Sequence, residues 1–269
     1  MSCDEFKLVT SRRRGKNSKR AASKPVQFNK QGETDTIVNI EKELQKIINA
    51  RSTLDETPFK EGVQNILQNA LDLRGEISIA EIICYGLGHF TECSIARYQL
   101  ALLLSVKELF KGIIYVHDPI FHTSEVNILK ELGFIIIEEN EEGKRELSTS
   151  GTTFLYLPHC PKQLVNNFLW KNWGPRLKDC IIFGNSFSSI VERQTLTDQR
   201  LTYFLAKIQP YVEEYPIDNN FKFLDVFNDT SVHVFSEHKL SQLLPTFWSE
   251  NRAEPVYPDS DLELILKKP

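Results

Sequence analysis

The chemistry-bearing residues of this 269-residue chain gather in four short segments: Gly86-Leu87-Gly88-His89-Phe90, His117-Asp118-Pro119, Pro158-His159-Cys160-Pro161 and Gly184-Asn185-Ser186-Phe187. Gly86 permits a tight turn, and Gly88 lets a phosphate or carboxylate approach backbone N–H groups. These are the first two positions of a G-x-G-x-x-G fingerprint. The third position holds Thr91, whose bulk keeps a following helix off its strand. The G-x-G-x-G form common in S-adenosylmethionine enzymes meets Phe90 instead. Asp118 stands where ribose hydroxyls are often held, but 32 residues after Gly86 rather than about 20. A dinucleotide is compatible with this pattern but not indicated by it. His89, His117 and His159 beside Cys160 bring a metal or haem to mind. The plainer reading is that histidines in such loops satisfy local backbone groups, and no metal site is assigned. Pro161 suits a first helical position, which puts Cys160 at the N-cap, where the helix dipole favours a thiolate. Such a thiolate could ligate haem iron or act as a nucleophile, and Cys-Pro is the usual haem-regulatory dipeptide. Cys160 is therefore expected to be the most reactive thiol. The G-x-S-x-G, P-loop and H-E-x-x-H patterns are missing from the sequence. Catalytic groups, if any, would have to be assembled by the fold.

Those four segments need strands to carry them. Glu81–Gly86, Gly112–His117, Phe134–Glu138, Thr153–Leu157 and Cys180–Phe183 read as strands, with a late one at Val232–Phe235. Their cores are continuous apolar runs, as a parallel sheet covered on both faces requires. Between them, Thr91–Phe110, Thr123–Leu132, Pro161–Trp170 and Leu196–Ile208 read as helices. Gly133 marks a left-handed helix end. Asn140–Gly151 is polar and reads as an exposed loop or hairpin. Trp170 reads as packing against the sheet among Leu164, Phe168 and Leu169. Two amphipathic helices precede the sheet. One shows Ile37, Ile40, Leu44, Ile47 and Ile48 on one face; the other runs from a Thr57-Pro58 cap to Gly75. The expected architecture is a doubly wound, Rossmann-like three-layer α/β sandwich with a mostly parallel sheet. In such a sheet, ligands bind beyond the carboxyl ends of the strands, so the four segments should converge on one rim.

Composition narrows the function classes. Hydrophobic residues at 41 % and charged residues at 25 % suit a globular protein, and the longest apolar runs fall far short of the roughly 20 residues a membrane span needs. Five scattered cysteines without a C-x-x-C pair suggest reduced thiols, in the cytosol or nucleus. Residues 1–36 hold nine Lys/Arg against four Asp/Glu, whereas the remainder holds 23 against 32, for a net charge of −4. An acidic body with a basic tail is a poor nucleic-acid binder. The chain divides into a disordered basic tail over 1–34, a helical extension over 35–75 and the α/β domain with its C-terminal extension over 76–269. "RRRGKNSKR" resembles a nuclear-import address but reads more simply as a solvated tail, and "KRAAS" offers Ser23 to a basophilic kinase.

The segments "GLGHF…SIARYQLALLL", "VHDPIF…E…L…LG", "YLPHCPKQLVNNFLWKNW" and "IIFGNSF" resemble, in that order, the sensitivity-to-red-light-reduced (SRR-one-like) proteins. The resemblance covers roughly residues 79–195. It departs at Leu157, where methionine is expected before Pro-His-Cys, an apolar exchange. It implies a regulatory protein in circadian clock input, clock-gene expression and control of haem biosynthesis. It also implies a cytoplasmic and in part nuclear location, and it carries over no catalytic residues. The candidate ligand rim is Gly86, Gly88, His89, Asp118, His159, Cys160, Asn185 and Ser186, with haem or S-adenosylmethionine as the cofactors left open. Protein partners and a small-molecule ligand are expected, and neither direct nucleic-acid nor membrane binding. The other readings are a methyltransferase-like enzyme using S-adenosylmethionine and a pure interaction module.

Overall fold

In a computed structural model, the structure describes residues 39–72, 78–195, 201–250, 253–258 and 263–267. Expectations for the basic tail, for Gly75 and for the start of the Leu196 helix lie outside these residues. Seven strands form one sheet: β1 (Ile79–Tyr85), β2 (Ile114–His117), β3 (Ile135–Ile136), β4 (Thr152–Leu157), β5 (Cys180–Asn185), β6 (Glu213–Pro216) and β7 (Thr230–Val234). Their order is β3-β2-β1-β4-β5-β7-β6. The first five run parallel, and β7 lies antiparallel to both β5 and β6. The sheet is thus doubly wound, with its switch point between β1 and β4. Tyr85 pairs with His117, Cys84 with Tyr156, and Leu157 with Gly184, so the carboxyl ends of the four central parallel strands share one rim.

Helices cover both faces. Alternate residues of each strand enter opposite apolar clusters, as the two-residue side-chain period of a strand demands. Ile82, Cys84, Phe154 and Tyr156 pack beneath α1 (Ile40–Asp55), α2 (Pro58–Asp72), α3 (Ser94–Phe110) and α4 (Thr123–Glu131). Ile83, Tyr85, Leu155 and Leu157 pack beneath α5 (Lys162–Lys171), α6 (Phe187–Glu192) and α7 (Tyr203–Ile208). The two N-terminal helices share the core. Phe59 of α2 stacks on Phe227 at 4.5 Å between ring centroids, and Leu54, Phe59 and Leu67 are buried. Asn39 caps α1 by accepting the Lys42 amide at 3.0 Å. Thr57 does not cap α2. Its hydroxyl turns back and donates to the Leu54 carbonyl at 2.7 Å.

Several elements differ from the sequence expectation for identifiable reasons. Helix α3 starts at Ser94 rather than Thr91, because residues 89–93 form a turn in which the His89 carbonyl accepts the Cys93 amide at 2.7 Å. Strand β3 shortens to two residues at the sheet edge. Strand β6, an edge strand reading Glu-Glu-Tyr-Pro, has no apolar run to announce it and ends at a proline, which edge strands tolerate. Residues 140–151 form neither hairpin nor strand up to Gly151, and Leu147 within them is buried. Gly133 adopts φ +74 after α4, as expected. No helix among the described residues is long and apolar enough to cross a membrane.

Candidate functional site

The glycine turn closes on a carboxylate. Gly86 and Gly88 adopt φ +67 and +78, which few other residues tolerate. This conformation aims the Gly88 amide at Asp118, whose Oδ2 accepts it at 2.8 Å while Oδ1 accepts the Ile120 amide at 3.1 Å. Asp118 is buried. The backbone donor that would meet a phosphate is therefore occupied by an internal anion, and the negative charge of Asp118 opposes a phosphate at the turn. The turn suits the hydroxyl-rich or cationic part of a ligand better than a phosphate.

Beyond the turn, His89 reaches a second buried carboxylate. Glu125, fully buried at the third position of α4, accepts the Thr91 amide and hydroxyl on Oε1 at 3.1 and 2.9 Å. Its Oε2 takes the His122 amide at 3.1 Å and the His89 ring at 2.9 Å. Since a carboxylate only accepts, His89 presents an Nδ1–H. The His89 and His122 rings stack at 4.1 Å with a 15° tilt, and His122 Nε2 lies 3.5 Å from the exposed Glu92 carboxylate. Sequence reasoning missed His122 and Glu125. The available signal was a glutamate three residues after the residue that opens a helix, the arrangement that ties a helix start to the preceding chain.

The remaining segments serve mainly as struts. Cys160 requires a correction. Pro161, not Cys160, is the N-cap of α5, and the Cys160 thiol points inward, donating to the Tyr85 carbonyl at 3.1 Å. Burial pushes this thiol well above its usual range, with Asp118 adding to the shift, so it is a protonated core group rather than an activated thiolate. Haem ligation through Cys160 does not fit that environment. His159, at φ +51, sets Nδ1 3.3 Å from Gln99 Nε2 and Nε2 3.3 Å from the Asn228 carbonyl. Burial of the ring lowers its pKa, against the pull of Asn228, Asp229 and Asp225. Asn185 donates to the Cys160 carbonyl at 3.0 Å. Ser186 caps α6 by accepting the Ser189 amide at 3.1 Å, with the Ser188 hydroxyl 3.4 Å away. His117 uses Nδ1 on the Ile137 carbonyl at 2.7 Å.

Two cavities flank the turn. A cleft of about 790 Å³ opens over the start of α3, lined among others by Lys46, Gly88, His89, Arg97, Gln99 and His159. Arg97 holds the loop beside it, donating to the carbonyls of Phe90 and Thr91 at 3.0 and 2.8 Å. A mainly apolar cavity of about 230 Å³ lies on the other side, between Tyr85, His117, Asp118, Leu164 and Leu264. The structure thus brings Gly86, Gly88, His89, Asp118 and His159 around the switch point. It places Cys160 and Asn185 beneath them and Ser186 outside.

Residues 42–234 match the family model of the SRR1 domain. The chain belongs to the SRR1 domain family. An SRR1-like protein of Mus musculus is 42 % identical over 125 residues, 45 % of this chain and 50 % of that protein. An SRR1-like protein of Drosophila melanogaster is 29 % identical over 233 residues, 85 % of this chain and 80 % of its own length. The Arabidopsis thaliana protein SENSITIVITY TO RED LIGHT REDUCED 1 is 30 % identical over 178 residues, 63 % of each chain. The chain thus spans about half the length of the mouse relative. Among solved structures, the plantazolicin methyltransferase BpumL superposes with a TM-score of 0.34 at 12 % identity, covering 72 % of this chain and 96 % of that one.

Proposed function

We propose that this SRR1-domain chain is a regulatory protein that acts in clock input, in clock-gene expression and in the control of haem biosynthesis, working in the cytoplasm and in part in the nucleus. The observation that carries the reading is the family match over 42–234, together with an Arabidopsis relative named for reduced sensitivity to red light. The site is consistent with a protein that responds by binding. Asp118 and Glu125 are spent on holding loops rather than paired with a nucleophile, while a cleft stands open beside them. The test is removal of the chain from its own cells: clock-gene transcript levels and haem content should both change, and a culture in which neither changes overturns the proposal.

A second reading, a methyltransferase-like enzyme using S-adenosylmethionine, is favoured by one observation. Gly86, Gly88 and Asp118 meet at the switch point between two cavities, and Asp118 offers acceptors to ribose hydroxyls and a negative charge to a cationic ligand. A thermal-shift scan with S-adenosylmethionine, NAD, NADP and haemin separates the readings. Binding at a hundred-fold excess over Kd adds about 2.7 kcal/mol of stability. A rise with S-adenosylmethionine alone, lost in Gly88→Val, supports the enzyme; a flat panel removes it.

A further inference from the structure

Glu125 combines full burial with a full set of hydrogen-bond donors, and among the described residues no lysine or arginine is paired with it. Buried carboxylates usually have an opposite charge beside them, because desolvating an anion is costly. What stands beside this one is a pair of histidines. Ligand atoms of His89, His122 and Glu125 all lie within 4.8 Å of one another. A divalent ion held at about 2.0–2.1 Å by nitrogen and oxygen in tetrahedral geometry spaces its ligand atoms by about 3.3 Å. His89 Nδ1 and Glu125 Oε2, 2.9 Å apart, are already near that spacing. His122 supplies the third position by a modest swing, since its side chain is 50 % exposed, and the Glu92 carboxylate follows at 3.5 Å from its Nε2.

We propose that His89, His122 and Glu125 form a binding site for a divalent transition-metal ion of the zinc class at the rim of the cleft over α3, with a fourth position for Glu92, water or a ligand. Two imidazoles with one carboxylate are the donor set that suits zinc and leaves an open position. The ion takes the place of the Nδ1 proton of His89, which moves to Nε2 of the same neutral ring, so no other group need change its charge. The threonine bonds to Oε1 remain and orient the carboxylate, as partners behind metal ligands do. One ion then compensates Glu125 and puts a Lewis-acidic position on the wall of the cleft, beside His89 and Glu92. The site does not rest on the regulatory reading.

The test is titration of the chelator-treated full chain with cobalt(II) chloride, then zinc chloride. The expected result is one saturable Co²⁺ per chain, with visible d–d absorption of a nitrogen–oxygen site, no thiolate-to-metal charge-transfer band, and displacement by Zn²⁺. Binding should weaken at least about tenfold in His122→Ala and in His89→Ala and persist in Cys93→Ser. His122→Ala removes a half-exposed side chain, and its metal-free thermal midpoint reports whether the fold survives. No saturable binding to the wild-type chain overturns the proposal. So does a thiolate band, or undiminished affinity in a folded His122→Ala.

Discussion

A β-carbon placed on Gly86 would lie 2.5 Å from the sulfur of Cys160, so the first glycine of the turn exists to admit that sulfur. Gly86→Ala should cost at least about 2 kcal/mol, from a left-handed φ and from overpacking. In Gly86→Ala/Cys160→Ala the steric part is relieved and the strain in φ is not. Chemical denaturation of the four proteins in the cycle should show a coupling of about 1–2 kcal/mol. Additive losses would mean that the two residues do not press on each other.

Asp118 holds two amides with its two oxygens. Asp118→Asn keeps the shape but sets an NH₂ against one of those N–H groups. The thermal midpoint should fall by the equivalent of about 1–3 kcal/mol, the cost of a buried donor left without an acceptor. Hydrogen exchange should quicken at Gly88 or Ile120 and leave the amides of β5 unchanged.

Thiol reactivity follows burial. Cys84, Cys160 and Cys180 are buried, whereas Cys93, at the N-cap of α3, is partly exposed on the cleft. Iodoacetamide followed by peptide mass mapping should therefore find Cys93 modified well before the other three. Equal or faster labelling of Cys160 would restore the activated-thiolate reading that its inward-pointing sulfur contradicts.

Glu214 supplies a pH signature. Burial alone would raise its pKa, but His233, whose Nε2 lies 3.7 Å from Oε1, together with Ser186 and the Ser188 amide and hydroxyl, which donate to Oε2 at 3.0 and 2.5 Å, hold it well below the usual carboxylate range. A carboxylate depressed in the folded state stabilises above its unfolded pKa of about 4.3, and that contribution is lost as pH falls through the folded value. Glu214→Gln should then be about 1–2 kcal/mol less stable than wild type at pH 7. The gap should narrow steadily below about pH 4. Denaturation curves at a series of pH values check this, and a gap that does not vary with pH would rule out the charge as its cause.

The parallel half of the sheet was legible because Ile82-Ile83-Cys84 and Phe154-Leu155-Tyr156 are apolar on both faces, and only a doubly covered strand needs that. Of the antiparallel half, β7 was legible as the apolar run Val232–Phe235, but β6 and the antiparallel pairing were not. Glu213-Glu214-Tyr215-Pro216 carries no apolar pattern, and the β5–β7 pairing depends on a partner about 50 residues further along the chain. Around the turn, the glycines and Asp118 announced themselves by type and position after their strands. The inward turn of Cys160 did not, because the N-cap moved by a single residue and took the sulfur from the helix end into the core. Glu125 looked like an ordinary helix-start glutamate, and only the fold brings His89 to it from 36 residues earlier.

The strand order also has a consequence for biosynthesis. β6 leaves the ribosome before β7 yet cannot join the sheet until β7 has paired with β5. Until Val234 has emerged, the outer edge of β5, with Ile181, Ile182 and Phe183, has no neighbour and can template pairing with other chains. A nascent chain arrested between residues 186 and 229 should therefore be a chaperone client, and one arrested well beyond 234 should not.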